Sequence, residues 1–317
     1  MNSESNPILG ISACLLGAKV RHDGGAFTHH WLSDELSKFV QYENFCPEVA
    51  MGLGTPRETL RLVYDKATEQ ISLYAPKSKT DYTSKASETA KRIFADLNHL
   101  SGFILAKGSP SCGVEAVKLY NKKNDIPDTK GRGFFAQWLK DKYPFLPVVD
   151  SGRMHNPVER EKFIKYMMSY HRLKNLTPKI SALQLFHQRH KYMLMEHSPG
   201  QVSDLGKIAG NSQKLDFGEV YLNYITLFSE VMRKDPTIKT RKNVFFHLLG
   251  YFKNDLETVE KDHFLEIVED YSHGRTPYIT LVNFLNLLIK KYKKEYLRDQ
   301  FYLNPYPLEL GLQKFVE

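Results

Sequence analysis

The sequence predicts an α/β fold in two parts: a mostly parallel, Rossmann-like sheet with flanking helices, followed by an all-α domain. Three observations predict it. Short apolar runs alternate with amphipathic stretches up to about residue 155. Long segments of 3.6-residue periodicity take over beyond about residue 160. Strand signals nearly vanish in that second half. Domains are expected at 1–160 and 161–317, because 317 residues suit two cores better than one.

The elements follow in chain order. Pro7-Ile8-Leu9-Gly10-Ile11-Ser12-Ala13 reads as a buried strand. So do residues 39–45, 102–106 and 146–149, the last two being short and bounded by turn residues. Between them, 84–100 and 133–142 carry a helical pattern. In the second half the spacing predicts helices over 161–173, 182–196, 218–234, 240–252, 256–272 and 277–299. Asp150-Ser151-Gly152 and Leu176-Thr177-Pro178 supply breaks, so the boundary is expected within 150–180. No internal repeat interrupts this order.

Composition narrows the function classes. No run of about 18 apolar residues occurs, so no membrane span is expected. Met1-Asn2-Ser3-Glu4-Ser5-Asn6 lacks a basic segment followed by an apolar one, and a cytoplasmic protein is expected. The net charge of +8, spread over both halves, permits a nucleic-acid partner without demanding one. Cys14, Cys46 and Cys112 are too few and too far apart for a disulfide framework.

Each cysteine follows a predicted strand. In a parallel sheet the carboxyl ends of the strands share one edge, where ligands bind. Three cysteines distant in sequence can therefore meet in space. Each also sits beside residues that turn the chain: Leu15-Leu16-Gly17, Pro47-Glu48 and Gly113. Freed backbone N–H groups at such turns can hydrogen-bond sulfur. Three thiolates could hold a tetrahedral zinc, or three corners of a [4Fe–4S] cluster with the fourth iron open to substrate. Cysteines are also ordinary small core residues. Taken alone, Glu48 reads as an acid at a helix N-terminus, and Ser109 and Ser111 as turn or capping residues. Arg57 suits either a nucleotide phosphate or a carboxylate, and Arg21 and Asp23 are weaker candidates for binding substrate.

The motifs "CLLGAKVRHDGG", "CPEVAMGLGTPRE" and "GSPSCG", in this order, resemble the bacterial thiouracil desulfidase family over about residues 7–155. "FHQRHKYMLMEHSP" and "NVFFHLLGYFK" resemble the YbgA-like helical domain. The two occur fused in a subgroup linked to removal of sulfur from 4-thiouridine in tRNA. The resemblance implies a [4Fe–4S] cluster on Cys14, Cys46 and Cys112 with one open iron. It implies Glu48 as a catalytic residue activating water and Ser109 as a proton donor or relay. It further implies a thiolated pyrimidine as substrate and tRNA as partner through the C-terminal domain. Replacing sulfur by oxygen with water needs no net electron transfer, so no redox partner is expected. The family usually shows tyrosine where this chain has His22. A narrower reading takes free thiouracil or a thiouridine nucleotide as substrate. A third makes the protein a non-catalytic RNA-binding or redox-sensing protein, and a fourth a zinc protein.

In the helical half, His187, His190 and Lys191 recur at spacings that share one helix face, with His197 further along. A basic face of this kind, with Arg189 nearby, is a candidate grip on RNA phosphate. Scattered tyrosines and the run Lys290-Lys291-Tyr292-Lys293-Lys294 add stacking and charge.

Overall fold

A computed structural model describes residues 6–121 and 124–316. Residues 1–5, part of the stretch read above for a leader pattern, lie outside the described residues. The chain divides into two compact units, Met1–Glu159 and Arg160–Glu317.

The first unit holds a four-stranded, all-parallel sheet built from β1 (Ile8–Ser12), β2 (Gln41–Phe45), β6 (Gly102–Leu105) and β9 (Val148–Asp150), in the order β2-β1-β6-β9. These are the strands expected from the four apolar runs. β1 and β6 pair in register Gly10↔Phe103. A Cβ at Gly10 would lie 2.4 Å from the Phe103 ring, so only glycine lets that ring cross the neighbouring strand. Phe103 then packs with Phe45 and Phe94 at ring separations of 5.1 and 5.9 Å, forming the floor of the sheet's core.

A second sheet was not anticipated from the sequence. It comprises β3 (Arg61–Asp65), β4 (Gln70–Ala75), β5 (Thr80–Asp81), β7 (Val117–Asn121) and β8 (Asn124–Gly131), in the order β5-β4-β3-β7-β8. All its pairings are antiparallel except β3 with β7. Its strands are partly buried: Leu62 and Leu73 lie in the core, while Ile71, towards the start of β4, is exposed.

Three helices complete the unit: α1 (Pro47–Ala50), α2 (Thr83–Ile93) and α3 (Phe134–Lys142). The helix expected over 84–100 stops early. Asp96 turns its carboxylate onto the backbone N–H of Asn98 at 3.0 Å, a local bond that competes with helix.

The second unit is helical: α4 (Pro157–Lys174), α5 (Ile180–His197), α6 (Pro199–Gly210), α7 (Phe217–Met232), α8 (Ile238–Leu249), α9 (Thr258–Ser272), α10 (Tyr278–Lys291) and α11 (Glu295–Arg298). Pro199 opens α6 at its first position, where a missing N–H costs nothing. The helix expected over 277–299 is two, because Lys293 adopts φ 50° and breaks the run. Among the described residues no helix is long and apolar enough to cross a membrane.

Candidate active site

The carboxyl edge of the parallel sheet gathers the three cysteines. Cys14 lies in a single 3-10 turn directly after β1, closed by Gly17 at φ 91°. Cys46 follows β2 in extended conformation and caps α1, with Pro47 at the first helical position. Cys112 follows β6 on the loop of residues 107–113. That loop is built from its own side chain and from α3. Ser109 Oγ accepts the backbone N–H groups of Ser111 at 3.2 Å and Cys112 at 3.1 Å. The N–H groups of Phe134 and Phe135, unsatisfied within α3, donate to the carbonyls of Pro110 and Ser111.

One cavity of about 220 Å³ is lined by Cys14, Cys46, Cys112, Glu48 and Ser109, together with Arg21, His22, Arg57 and Lys107. All three cysteines are free thiols. Burial pushes each thiol up from its ordinary value. The neighbouring thiol of Cys46 adds to the effect at Cys14, and the Glu48 carboxylate adds to it at Cys112. Among the described residues no group of three or more His, Cys, Asp or Glu closes round a single metal ion. Three free thiols on one cavity, Cys112 buried and Cys14 and Cys46 half-buried, suit a soft, positively charged group, which would keep them as thiolates.

Glu48 sits on the first turn of α1, largely buried. Arg57 holds one of its oxygens, donating from Nε at 2.7 Å and lying 2.6 Å away through Nη2. Ser111 Oγ donates to the other oxygen at 2.7 Å. Ser111, read from sequence as a turn residue, is fully buried on the carboxylate. The only sequence signal for this role is its place beside Cys112 in Ser-Pro-Ser-Cys.

Of the two readings of Arg57, the structure shows the pairing with a carboxylate. Its side chain is 6% exposed, and beyond Glu48 its donors serve the carbonyls of Gly54 and Val20, each at 2.8 Å. Arg21 lines the cavity and lies 3.6 Å from Asp23. Asp23 is outside the lining; its carboxylate accepts the backbone N–H of Gly25 at 2.9 Å, which holds its pKa below the usual range.

The histidine face of α5 is also corrected. His190 is fully buried, stacked on Phe186 at 3.8 Å, with Nδ1 on the Phe186 carbonyl. His197 is buried with Nδ1 on the Lys234 carbonyl at 2.7 Å. His187 is half-buried and bonded to the Tyr224 hydroxyl at 3.1 Å. Burial pushes His187 and His197 down to about 4 and His190 well below its ordinary value. These rings are neutral core groups and do not grip phosphate. Lys191 lies 5.8 Å from the Tyr192 ring centroid.

Residues 9–151 match the family described as 2-thiouracil desulfurase. Residues 191–307 match a protein family of unknown function, DUF1722. The chain is a thiouracil desulfidase-like domain fused to a YbgA-like domain. The desulfidase-like domain is 29% identical over 138 residues to YbbK of Bacillus subtilis (strain 168), an uncharacterized protein, covering 41% of this chain and 87% of that one. The YbgA-like domain is 23% identical over 144 residues to the uncharacterized YbgA of Escherichia coli (strain K12), covering 45% of this chain and 85% of that one. Among solved structures, the [4Fe–4S]-dependent thiouracil desulfidase TudS is 27% identical, with a TM-score of 0.39, covering 47% of this chain and 93% of TudS. The matched family is one of enzymes that act on carbon–sulfur bonds.

Proposed function

We propose that the protein is a cytoplasmic, iron–sulfur-dependent desulfidase that replaces sulfur by oxygen in a thiolated pyrimidine, 4-thiouridine of tRNA being the substrate. One observation carries the reading: Cys14, Cys46, Cys112, Glu48 and Ser109 line a single cavity. The three cysteines would hold a [4Fe–4S] cluster, as TudS is described to require. When bound, such a cluster supplies a soft Lewis-acid iron suited to a departing sulfur.

This chain's residues do the rest. Glu48, fixed from both sides by Arg57 and Ser111, accepts a proton from the water that adds to the ring carbon. Ser109 Oγ already accepts two backbone N–H groups, which leaves its own hydroxyl proton to give to the ring nitrogen. Arg21 and Lys107 at the wall add positive charge beside the substrate. The overall exchange is thiocarbonyl plus water to carbonyl plus hydrogen sulfide. Oxidation states do not change, so no reductase partner is needed.

RNA as the carrier draws support from the second unit. Lys291 and Lys294 are paired with carboxylates. Lys290 and Lys293 are exposed and have no ion-pair partner among the described residues. A folded tRNA must extrude its thiolated base to reach a pocket at a sheet edge.

The test is anaerobic turnover of 4-thiouridine-containing tRNA, followed through the thiopyrimidine chromophore. Turnover should require Cys112, and Glu48→Gln should cost about 100- to 10,000-fold while leaving the cluster's visible absorption in place. Turnover of free thiouracil but not of tRNA would discard RNA and keep the chemistry. Full activity in Glu48→Gln would sink the mechanism.

A further inference from the structure

A second cavity, of about 470 Å³, adjoins the first. The two share Arg57 and Leu60 in their walls. Its remaining lining includes Glu58, Lys77, Ser78 and Tyr82, none of which the chemistry above uses. The first cavity, at about 220 Å³, is smaller than the roughly 300 Å³ at which pockets begin to enclose a drug-sized ligand; it suits one ring at the thiols. The second lies within the range for a larger ligand.

The second cavity's side chains are of three chemical kinds. Tyr82 is a half-buried aromatic ring. Lys77 is an exposed ammonium in the lining, near enough to the Glu58 carboxylate for its charge to act on it. Glu58 is a carboxylate with capacity to accept a further hydroxyl. Their backbone is fixed. The N–H of Tyr82 donates to the Leu73 carbonyl at 2.8 Å, and the Tyr82 carbonyl accepts from Ala86 at 2.8 Å at the start of α2. Glu58, directly after Arg57, accepts the backbone N–H of Ser78 at 3.0 Å. That bond pins the turn between β4 and β5, which carries Lys77, to the loop that carries Arg57.

A ribonucleotide has the three complements: a base face for an aromatic ring, a phosphate for an ammonium, and a 2′-hydroxyl for a carboxylate. Resting on the RNA reading above, we infer that the second cavity receives the nucleotide adjoining the thiolated one in the RNA chain. Its base stacks on Tyr82, its phosphate meets Lys77, and its ribose hydroxyl meets Glu58. Arg57 is then the wall between the reacting nucleotide and its neighbour.

The experiment uses the full-length, cluster-loaded protein and its Tyr82→Ala, Tyr82→Phe and Lys77→Glu variants. Two readouts are taken: anisotropy of a labelled oligoribonucleotide with one internal 4-thiouridine, and turnover of that oligonucleotide and of free 2-thiouracil. Tyr82→Ala and Lys77→Glu should each weaken oligonucleotide binding about tenfold, the scale of one lost stacked base, with a matching fall in its turnover. Tyr82→Phe should behave as wild type, since it keeps the ring. Turnover of 2-thiouracil, which occupies only the first cavity, should stay at the wild-type rate. Undiminished binding in Tyr82→Ala, or an equal loss on both substrates, overturns the inference while the RNA reading stands. A wild-type protein that consumes 2-thiouracil but neither binds nor desulfurises the oligonucleotide ends both.

Discussion

Glu48 is held by two donors of different kind. The charged one, Arg57, lies on one oxygen, and a neutral hydroxyl from Ser111 lies on the other. A carboxylate fixed in this way presents its remaining lone pairs in a set direction. Ser111→Ala removes a buried hydrogen bond to a charged group, worth about 1.5–3 kcal/mol. The variant should lose roughly ten- to a hundredfold in kcat with KM little changed, measured by steady-state turnover. A rise in KM with kcat unchanged would show that Ser111 serves binding and not orientation. At this scale the sequence was legible where chemistry is rare and illegible where it is common. Cysteine stands out by its rarity, and Glu48 only through the motif that carries the family resemblance. Ser111, Arg57 and His190 depend on which neighbour the fold brings, and motif spacing does not contain that. His190 looked like a surface cation on a helical face; the same face points at Phe186 and the core.

At the scale of elements, the loop carrying Cys112 lies directly on the start of α3. Gly133 makes that possible: a Cβ there would sit 2.6 Å from the Ser111 carbonyl oxygen and 2.7 Å from the Gly113 nitrogen, both backbone atoms that cannot swing aside. Gly133→Ala should therefore cost about 1–3 kcal/mol and displace Ser109 and Cys112 together. Thermal unfolding should shift down, and activity should fall further than stability alone explains. An unshifted melting curve would contradict the close approach. Strands β1 and β6 were readable because continuous apolar runs mark strands buried on both faces, whereas β2 is a half-exposed edge strand. The second sheet was not, because its strands are half-exposed and the parallel pairing that joins its two antiparallel parts is long-range. β7 pairs with β3 across more than fifty intervening residues, as Leu62↔Leu119 shows. Helix ends failed where a single residue decided them, as at Asp96 and Lys293.

At the scale of the whole molecule, the helical unit carries buried charged and titratable groups. Its core holds Glu196, fully buried, between Lys165 at 3.5 Å and Arg241 at 3.1 Å. It also holds three histidines pushed down by burial. An unfolded imidazole titrates near 6.5, whereas His187 and His197 do so at about 4. Between those values the unfolded chain binds protons that the fold refuses, so stability rises with pH. This contribution is whole above about 6.5 and is lost as pH falls toward about 4. The helical signal should melt at progressively lower temperature on acidification through that window. A flat melting temperature across it would show that the rings gain protons while folded.

The strand order β2-β1-β6 has a consequence for biosynthesis. Cys14 hangs on the middle strand, and its two companions come from the flanking ones, the last of them at residue 112. No contiguous fragment ending before that residue presents all three thiols. A ribosome stalled short of it, or a protease that removes β6, leaves a donor set on which nothing needing three sulfurs can be assembled. On the proposed reading, a centre held by all three thiols would mark a chain made and folded through residue 112.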